Sequence, residues 1–230
     1  MINPESQDAL FISENLKFWN DLTGLQKQML LTYANSYRID EGIQLIRSST
    51  ECQGMILIKS GRIRAFLTSE NGKEITLFRL LPEDSCIMTA SCMIEGVRFQ
   101  IFLEAEKEVE MYLIPQTVFI RLNSENSVVK DYTMNALASK FSEALSIVDS
   151  LVFASVPSRI AQHLIEMLSF EDSMDNTVHT THDNIAKNIG SVREVVSRIL
   201  KGLERDGILS LSRNQIIVKD IKRLYDLTQY

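Results

Sequence analysis

Histidine is scarce in this chain: the 230 residues contain three, His163, His179 and His182, and none precedes them. A strand-rich enzyme that holds a catalytic metal inside a barrel draws its ligands from histidines and carboxylates on its strands. The N-terminal region lacks them, which counts against a cupin-type metalloenzyme. Cysteine is equally thin, with Cys52, Cys86 and Cys92. An odd, small number in a mid-sized chain argues against a disulfide framework and fits a reducing compartment. No apolar run approaches the roughly 18 residues of a membrane span. The first residues, MINPESQDALF, show no basic stretch followed by a hydrophobic one. A cytoplasmic protein without a membrane partner is expected.

Positive charge is also in deficit, the net formal charge being −6, but it is unevenly spread. From His182 to Arg223 there are nine Lys or Arg (Lys187, Arg193, Arg198, Lys201, Arg205, Arg213, Lys219, Lys222, Arg223) and five acids (Asp183, Glu194, Glu204, Asp206, Asp220). That segment carries an excess of four positive charges, and the rest of the chain therefore carries −10. A basic segment on an acidic body can bind DNA locally while the body resists unspecific adhesion.

What is present falls into three patterns. Between about Tyr37 and Pro115 short apolar alternations are separated by turn residues. IRAFLTSE and KEITLFRLL flank Asn71-Gly72, which predicts a two-residue type I′ hairpin. A further turn is predicted at Ser60-Gly61 after MILIK, and QIFLEAEKEVEMYLIP predicts two strands ending at Pro115. So many short strands suggest a sandwich or barrel. Residues 13–35 read as helical. Residues 127–153 read as one long helix, in which Met134, Leu137, Phe141, Ala144, Val148 and Leu151 recur at alternating steps of three and four. Such a seam fits a dimeric coiled coil; the alternative is a face packed on its own domain. Pro157 marks a hinge after it.

The third pattern is THDNIAKNIGSVREVVSRILKGLERDG, from Thr181 to Gly207. Thr181 suits an N-cap, and Ile185, Ala186 and Ile189 form a buried side. Gly190 can end the helix in the left-handed conformation. Ser191-x-x-Glu194 then reads as a capping box that opens a second helix at Ser191. Its apolar stripe is Val192, Val195, Val196, Ile199, Leu200 and Leu203, leaving Arg193, Glu194, Ser197, Arg198 and Lys201 outward. This is the pattern of a helix-turn-helix, whose second helix enters the DNA major groove. Arginine can donate twice to guanine, and glutamate can accept from cytosine. ILSLS and QIIVK around Arg213-Asn214 predict a two-stranded wing, with Arg213 near a phosphate backbone or simply in solvent.

These residues resemble the Crp/Fnr transcription regulators, over nearly the whole chain. THDNIAKNIGSVREVVSRILKGLERDGIL resembles that family's helix-turn-helix, and MILIKSGRIRAFLTSENGKEITLFRLLPED its cyclic-nucleotide-binding-type sensor. The resemblance implies an α+β fold: a β jelly roll with N-terminal helices over 1–124, a central dimerisation helix and hinge over 125–156, and a winged helix over 157–230. It implies a homodimer on a near-palindromic promoter site that works with RNA polymerase. Arg193, Glu194 and Arg198 fall on base-reading positions, with Ser191 and Ser197 counted beside them, and Thr181 and His182 fall on phosphate-contacting ones.

The sensor departs from the cyclic-AMP branch. IMTASCMIEGVRF places Ile87-Met88 where that branch has Gly-Glu for the ribose, and Phe99 follows Arg98, the arginine near the phosphate-binding place. Cyclic AMP therefore does not fit. Nor does an iron–sulfur cluster, which needs four ligands. Haem stays open, with Cys86 or Met88 as iron ligands, as does a Cys86–Cys92 redox pair; the alternative for each cysteine is a small buried hydrophobe. A different reading of the whole chain is an interaction module whose C-terminal helices bind protein rather than DNA.

Overall fold

The computed structural model describes residues 2–46, 54–86, 101–170 and 176–229. The chain forms two compact units, one of Met1–Leu67 with Leu77–Glu143, the other of Thr68–Thr76 with Ala144–Tyr230.

The first unit begins with two helices where the sequence suggested one helical stretch. α1 (Gln7–Asn15) is capped by Ser6, whose hydroxyl accepts from the Ala9 N–H at 3.2 Å. α2 (Gly24–Tyr33) opens on a reciprocal capping box between Thr23 and Gln26. Between them Leu16, Phe18 and Leu22 turn inward through a single 3-10 turn and are buried in the core. Burying them there breaks the helix that residues 13–35 would otherwise continue.

Among the described residues six strands follow: β1 (Asn35–Ile39), β2 (Gln44–Ile46), β3 (Gly54–Thr68), β4 (Glu74–Leu80), β5 (Ser85–Cys86) and β6 (Phe102–Pro115). They form one sheet in the order β1-β6-β3-β4, with β2 also on β6 and β5 on β3. Three local expectations are corrected here. Ser60-Gly61 is no turn: β3 runs straight through, with register shifts on both sides of Ser60. Gly61 has φ +86°, and a Cβ there would lie 2.0 Å from the Glu108 carbonyl oxygen. A bulge in a long strand uses glycine for the same reason as a turn, so sequence alone confuses the two. QIFLEAEKEVEMYLIP is one strand rather than two, pairing with β1, β2 and β3.

The third correction concerns the β3–β4 turn. Gly72 has φ +74°, but Asn71 does not take positive φ, so the turn is not type I′. The Gly72 N–H donates to the Ser69 carbonyl at 2.9 Å, and Ser69 and Lys73 close the hairpin at 2.8 Å. A three-residue loop, Glu70 to Gly72, ending in left-handed glycine results.

One side of the sheet packs on the N-terminal helices through Met55, Leu57, Tyr112 and Ile114. Another cluster gathers Ile56, Ile58, Ile63, Leu80, Leu103 and Cys86. Cys86 is 1% exposed within that cluster. Met88, Cys92 and Arg98 lie outside the described residues, as does Cys52.

α3 (Gln116–Glu125) leads into α4 (Ser127–Phe153), the long helix that the sequence predicted. Asn126 caps it, its Oδ1 accepting from Val128 and Val129. Of the expected seam, Leu137 packs back on the N-terminal core and Ala144 is half-buried. Met134, Phe141, Val148 and Leu151 are exposed, as is Leu145, which the sequence reading passed over.

In the second unit α5 (Val156–Ser169) starts only two residues after α4. Ser155 caps it and Pro157 lies in its first turn, where a proline costs no hydrogen bond. The break in the chain is therefore at Ala154-Ser155, with Pro157 already helical. Then come β7 (Thr177–Val178), α6 (His182–Ile189), α7 (Arg193–Arg205), β8 (Leu209–Ser212), β9 (Gln215–Val218) and α8 (Ile221–Asp226). Ile160, Leu164, Ile185, Val196, Leu200 and Ile216 share one core. The expected two-stranded wing has a third strand, in the order β7-β9-β8.

Candidate nucleic-acid interface

Thr181 caps α6 as its sequence position suggests, its hydroxyl accepting from the Asn184 N–H at 3.0 Å. Four residues after Thr181 the buried side begins, with Ile185, Ala186 and Ile189 in the core. Gly190 has φ +66° and ψ +38°, and the N–H groups of both Gly190 and Ser191 turn back to the Ala186 carbonyl. Arg159, on α5, donates to the Ile189 carbonyl at 2.9 Å, so the C-terminal end of α6 is satisfied from two directions. Burial lowers the pKa of Arg159.

The second helix begins later than the sequence implied. Ser191 still belongs to the cap of α6, and Val192 is the extended residue before α7, with no side-chain cap. The Ser191–Glu194 capping box is accordingly not formed. The longer turn leaves Val192 exposed, outside the buried stripe assigned to it. What remains of that stripe, Val196, Leu200 and Leu203, is fully internal. Arg193, Glu194 and Arg198 are exposed, with Ser197 half-buried between them. Freed of a capping role, Glu194 points its chemistry outward with the two arginines.

The wing is tied to α7 and to the residue before the α6 cap. Glu204 accepts from the Leu211 N–H at 2.9 Å, and the Thr180 N–H donates to the Asn214 carbonyl at 3.1 Å. Asn214 takes φ +58° at the wing tip, next to exposed Arg213. Thr181, His182, Arg193 and Arg213 line one open cleft of about 360 Å³ with Thr180, Ser212 and Asn214. Four of the eight expected contact residues thus come together; Glu194, Ser197 and Arg198 lie along α7, and Ser191 in the turn. Asn214 was missed as a contributor, although its Arg-Asn turn carried a signal; Lys201 is exposed on α7, as the sequence suggested, and does not line the cleft.

His182 sits in this cationic setting. Burial, then Arg193 and Lys201, hold its pKa below the ordinary 6.5. The fold therefore favours the neutral ring, and this contribution to stability is present above pH 6.5 and is lost as pH falls below it. By NMR titration His182 should show a midpoint below 6.5, and Lys201→Gln should move it upward. A midpoint at or above 6.5 would contradict the crowding of cations described.

A left-handed glycine between two helices, a recognition helix with arginines outward and a three-stranded wing make a winged helix-turn-helix. Residues 158–227 match the Crp-like helix-turn-helix domain. A solved transcriptional regulator of the Crp/Fnr family from Eubacterium rectale ATCC 33656 is 32% identical, with a TM-score of 0.90 over 94% of this chain and 100% of that one. The chain belongs to the Crp/Fnr family. It is a DNA-binding transcription regulator of that type, not an enzyme. More distant Crp/Fnr relatives include the cAMP-activated global transcriptional regulator CRP of Pasteurella multocida, 24% identical over 83% of this chain and 93% of that protein. The transcriptional regulator SdrP of Thermus thermophilus is 26% identical over 75% of this chain and 82% of that protein. Among the described residues, no helix is long and apolar enough to cross a membrane.

Proposed function

We propose that the protein acts as a homodimer joined along α4, reading a near-palindromic promoter site with one α7 per half-site and influencing RNA polymerase there. The exposed face of α4 carries the dimer reading. Met134, Phe141, Leu145, Val148 and Val152 are each more than half exposed. Their steps of seven, four, three and four follow a heptad, and a single chain leaves that stripe in water. Three segments divide the work: a sensor over 1–124, a dimerising helix and hinge over 125–156, and a DNA-binding domain over 157–230. At the DNA, Arg193, Glu194 and Arg198 read bases, with Ser191 and Ser197 alongside. Thr181, His182 and Arg213 face phosphates across the cleft they share.

The signal is a small molecule or a redox change other than cyclic AMP, because Ile87-Met88 offer no carboxylate to a ribose. Anisotropy titrations against promoter DNA at two salt concentrations test the DNA reading. Six or more phosphate contacts over two half-sites imply a loss of roughly 10³-fold between about 50 and 200 mM salt. Binding that is absent at low salt, with and without reductant, overturns this reading.

A further inference from the structure

The tip of the β3–β4 hairpin clusters with the winged helix. Residues Thr68–Thr76 fall in the same compact unit as Ala144–Tyr230. Three contacts fasten the tip to the second half of α6 and to the turn behind it. Thr76 Oγ1 donates to Asn188 Oδ1 at 2.6 Å, while Asn188 Nδ2 donates to the Asn184 carbonyl at 2.8 Å. Glu74, its side chain only 17% exposed, has an oxygen 4.0 Å from Lys187 Nζ. Ile75 covers the left-handed turn: a Cβ on Gly190 would lie 3.2 Å from Ile75 Cδ1 and 3.6 Å from Leu151 Cδ2.

Asn188 is the informative residue. It is 7% exposed, on the face of α6 that otherwise buries Ile185, Ala186 and Ile189. A buried amide is costly unless its oxygen and nitrogen both find partners. Here the oxygen takes its hydrogen from the hairpin and the nitrogen serves the helix itself. The amide therefore fits a helix that has a hairpin hydroxyl beside it. The contact also leaves the reading surface open, since Thr181 and His182 are at the opposite end of α6, and none of these three contacts uses Arg193, Glu194 or Arg198.

We propose that the hairpin tip is a clasp that sets the position of the helix-turn-helix, with Ile75, Thr76 and Asn188 as positioning residues for DNA reading. β3 and β4 continue from the clasp into the first unit's sheet. This role rests on the reading of α7 as the DNA-facing helix.

The test compares the full-length protein with Thr76→Val, which puts a methyl where the Asn188 oxygen expects a donor, and with Thr76→Ser, which keeps the donor. Hydrogen–deuterium exchange of residues 184–190 should quicken in Thr76→Val and return to normal in Thr76→Ser. Affinity for a duplex selected by the wild-type protein from random-sequence DNA should fall roughly 2- to 10-fold in Thr76→Val, the range one net hydrogen bond covers, and recover in Thr76→Ser. The thermal midpoint of the C-terminal unit should hold in both. Unchanged affinity in Thr76→Val overturns the clasp whatever the exchange does, as do an affinity that rises and a serine that fails to rescue. The exchange comparison needs no DNA. If the wild-type protein selects no duplex, the DNA reading fails by itself, and unchanged exchange in Thr76→Val then separately overturns the clasp.

Discussion

Arg198→Ala is expected to erase the preference for the operator over scrambled DNA, at a cost of about 1–3 kcal/mol in discrimination. Arg193, Glu194, Ser197 and Arg198 stand at positions i, i+1, i+4 and i+5, two adjacent ridges of one helical face. Arg198 is the exposed member furthest along that face and has no hydrogen bond or ion pair among the described residues. A guanidinium so placed is free to donate to two acceptors of a guanine, whereas its removal takes nothing from the core. Stability should therefore stay within about 0.5 kcal/mol, as for surface substitutions in general. Parallel anisotropy titrations with operator and scrambled duplexes, together with thermal melts, separate the two effects. Equal discrimination in mutant and wild type would place the reading face elsewhere on α7.

Phe141→Glu combined with Val148→Glu should produce a folded monomer with operator affinity lowered by about 10²- to 10⁴-fold. Both side chains are exposed on the α4 stripe and belong to none of the three buried clusters. A carboxylate at each position places like charges across a symmetric seam, where the partner would present the same residue. The helix itself continues to pack through Val129 and Thr133, and circular dichroism should be unchanged. Losing the second half-site then removes the gain from bivalent attachment, which sets the expected drop. Light scattering should report the 26.2 kDa of one chain in place of twice that mass. A double mutant that keeps the dimer mass would assign the seam to another surface.

How far these features were legible depends on where their causes lie. Thr181 and Gly190 act through local backbone geometry, so their roles were readable from a few neighbouring residues. The face of α7 was readable for the same reason, its buried and exposed residues separating by helical period. The capping box failed because Ser191 had two backbone uses to choose from, and the Ala186 carbonyl, five residues back, took it. Gly61 was read as a turn because its real constraint, the Glu108 carbonyl, is 47 residues away in sequence. Leu137 shows the same limit: its period places it on the seam, while its half-burial against the first unit's core depends on residues distant in sequence. Asn188 had no sequence signal, since nothing local explains an amide on an apolar face.

The division of α7 between Val196, Leu200 and Leu203 inside and Arg193, Glu194 and Arg198 outside has an evolutionary side. The residues that choose a DNA sequence are not the residues that keep the domain folded. Base-reading positions can drift through many substitutions while the scaffold remains intact, so related promoters can be gained or abandoned one side chain at a time. Descendants of this chain can thus diverge in regulon without passing through a misfolded ancestor.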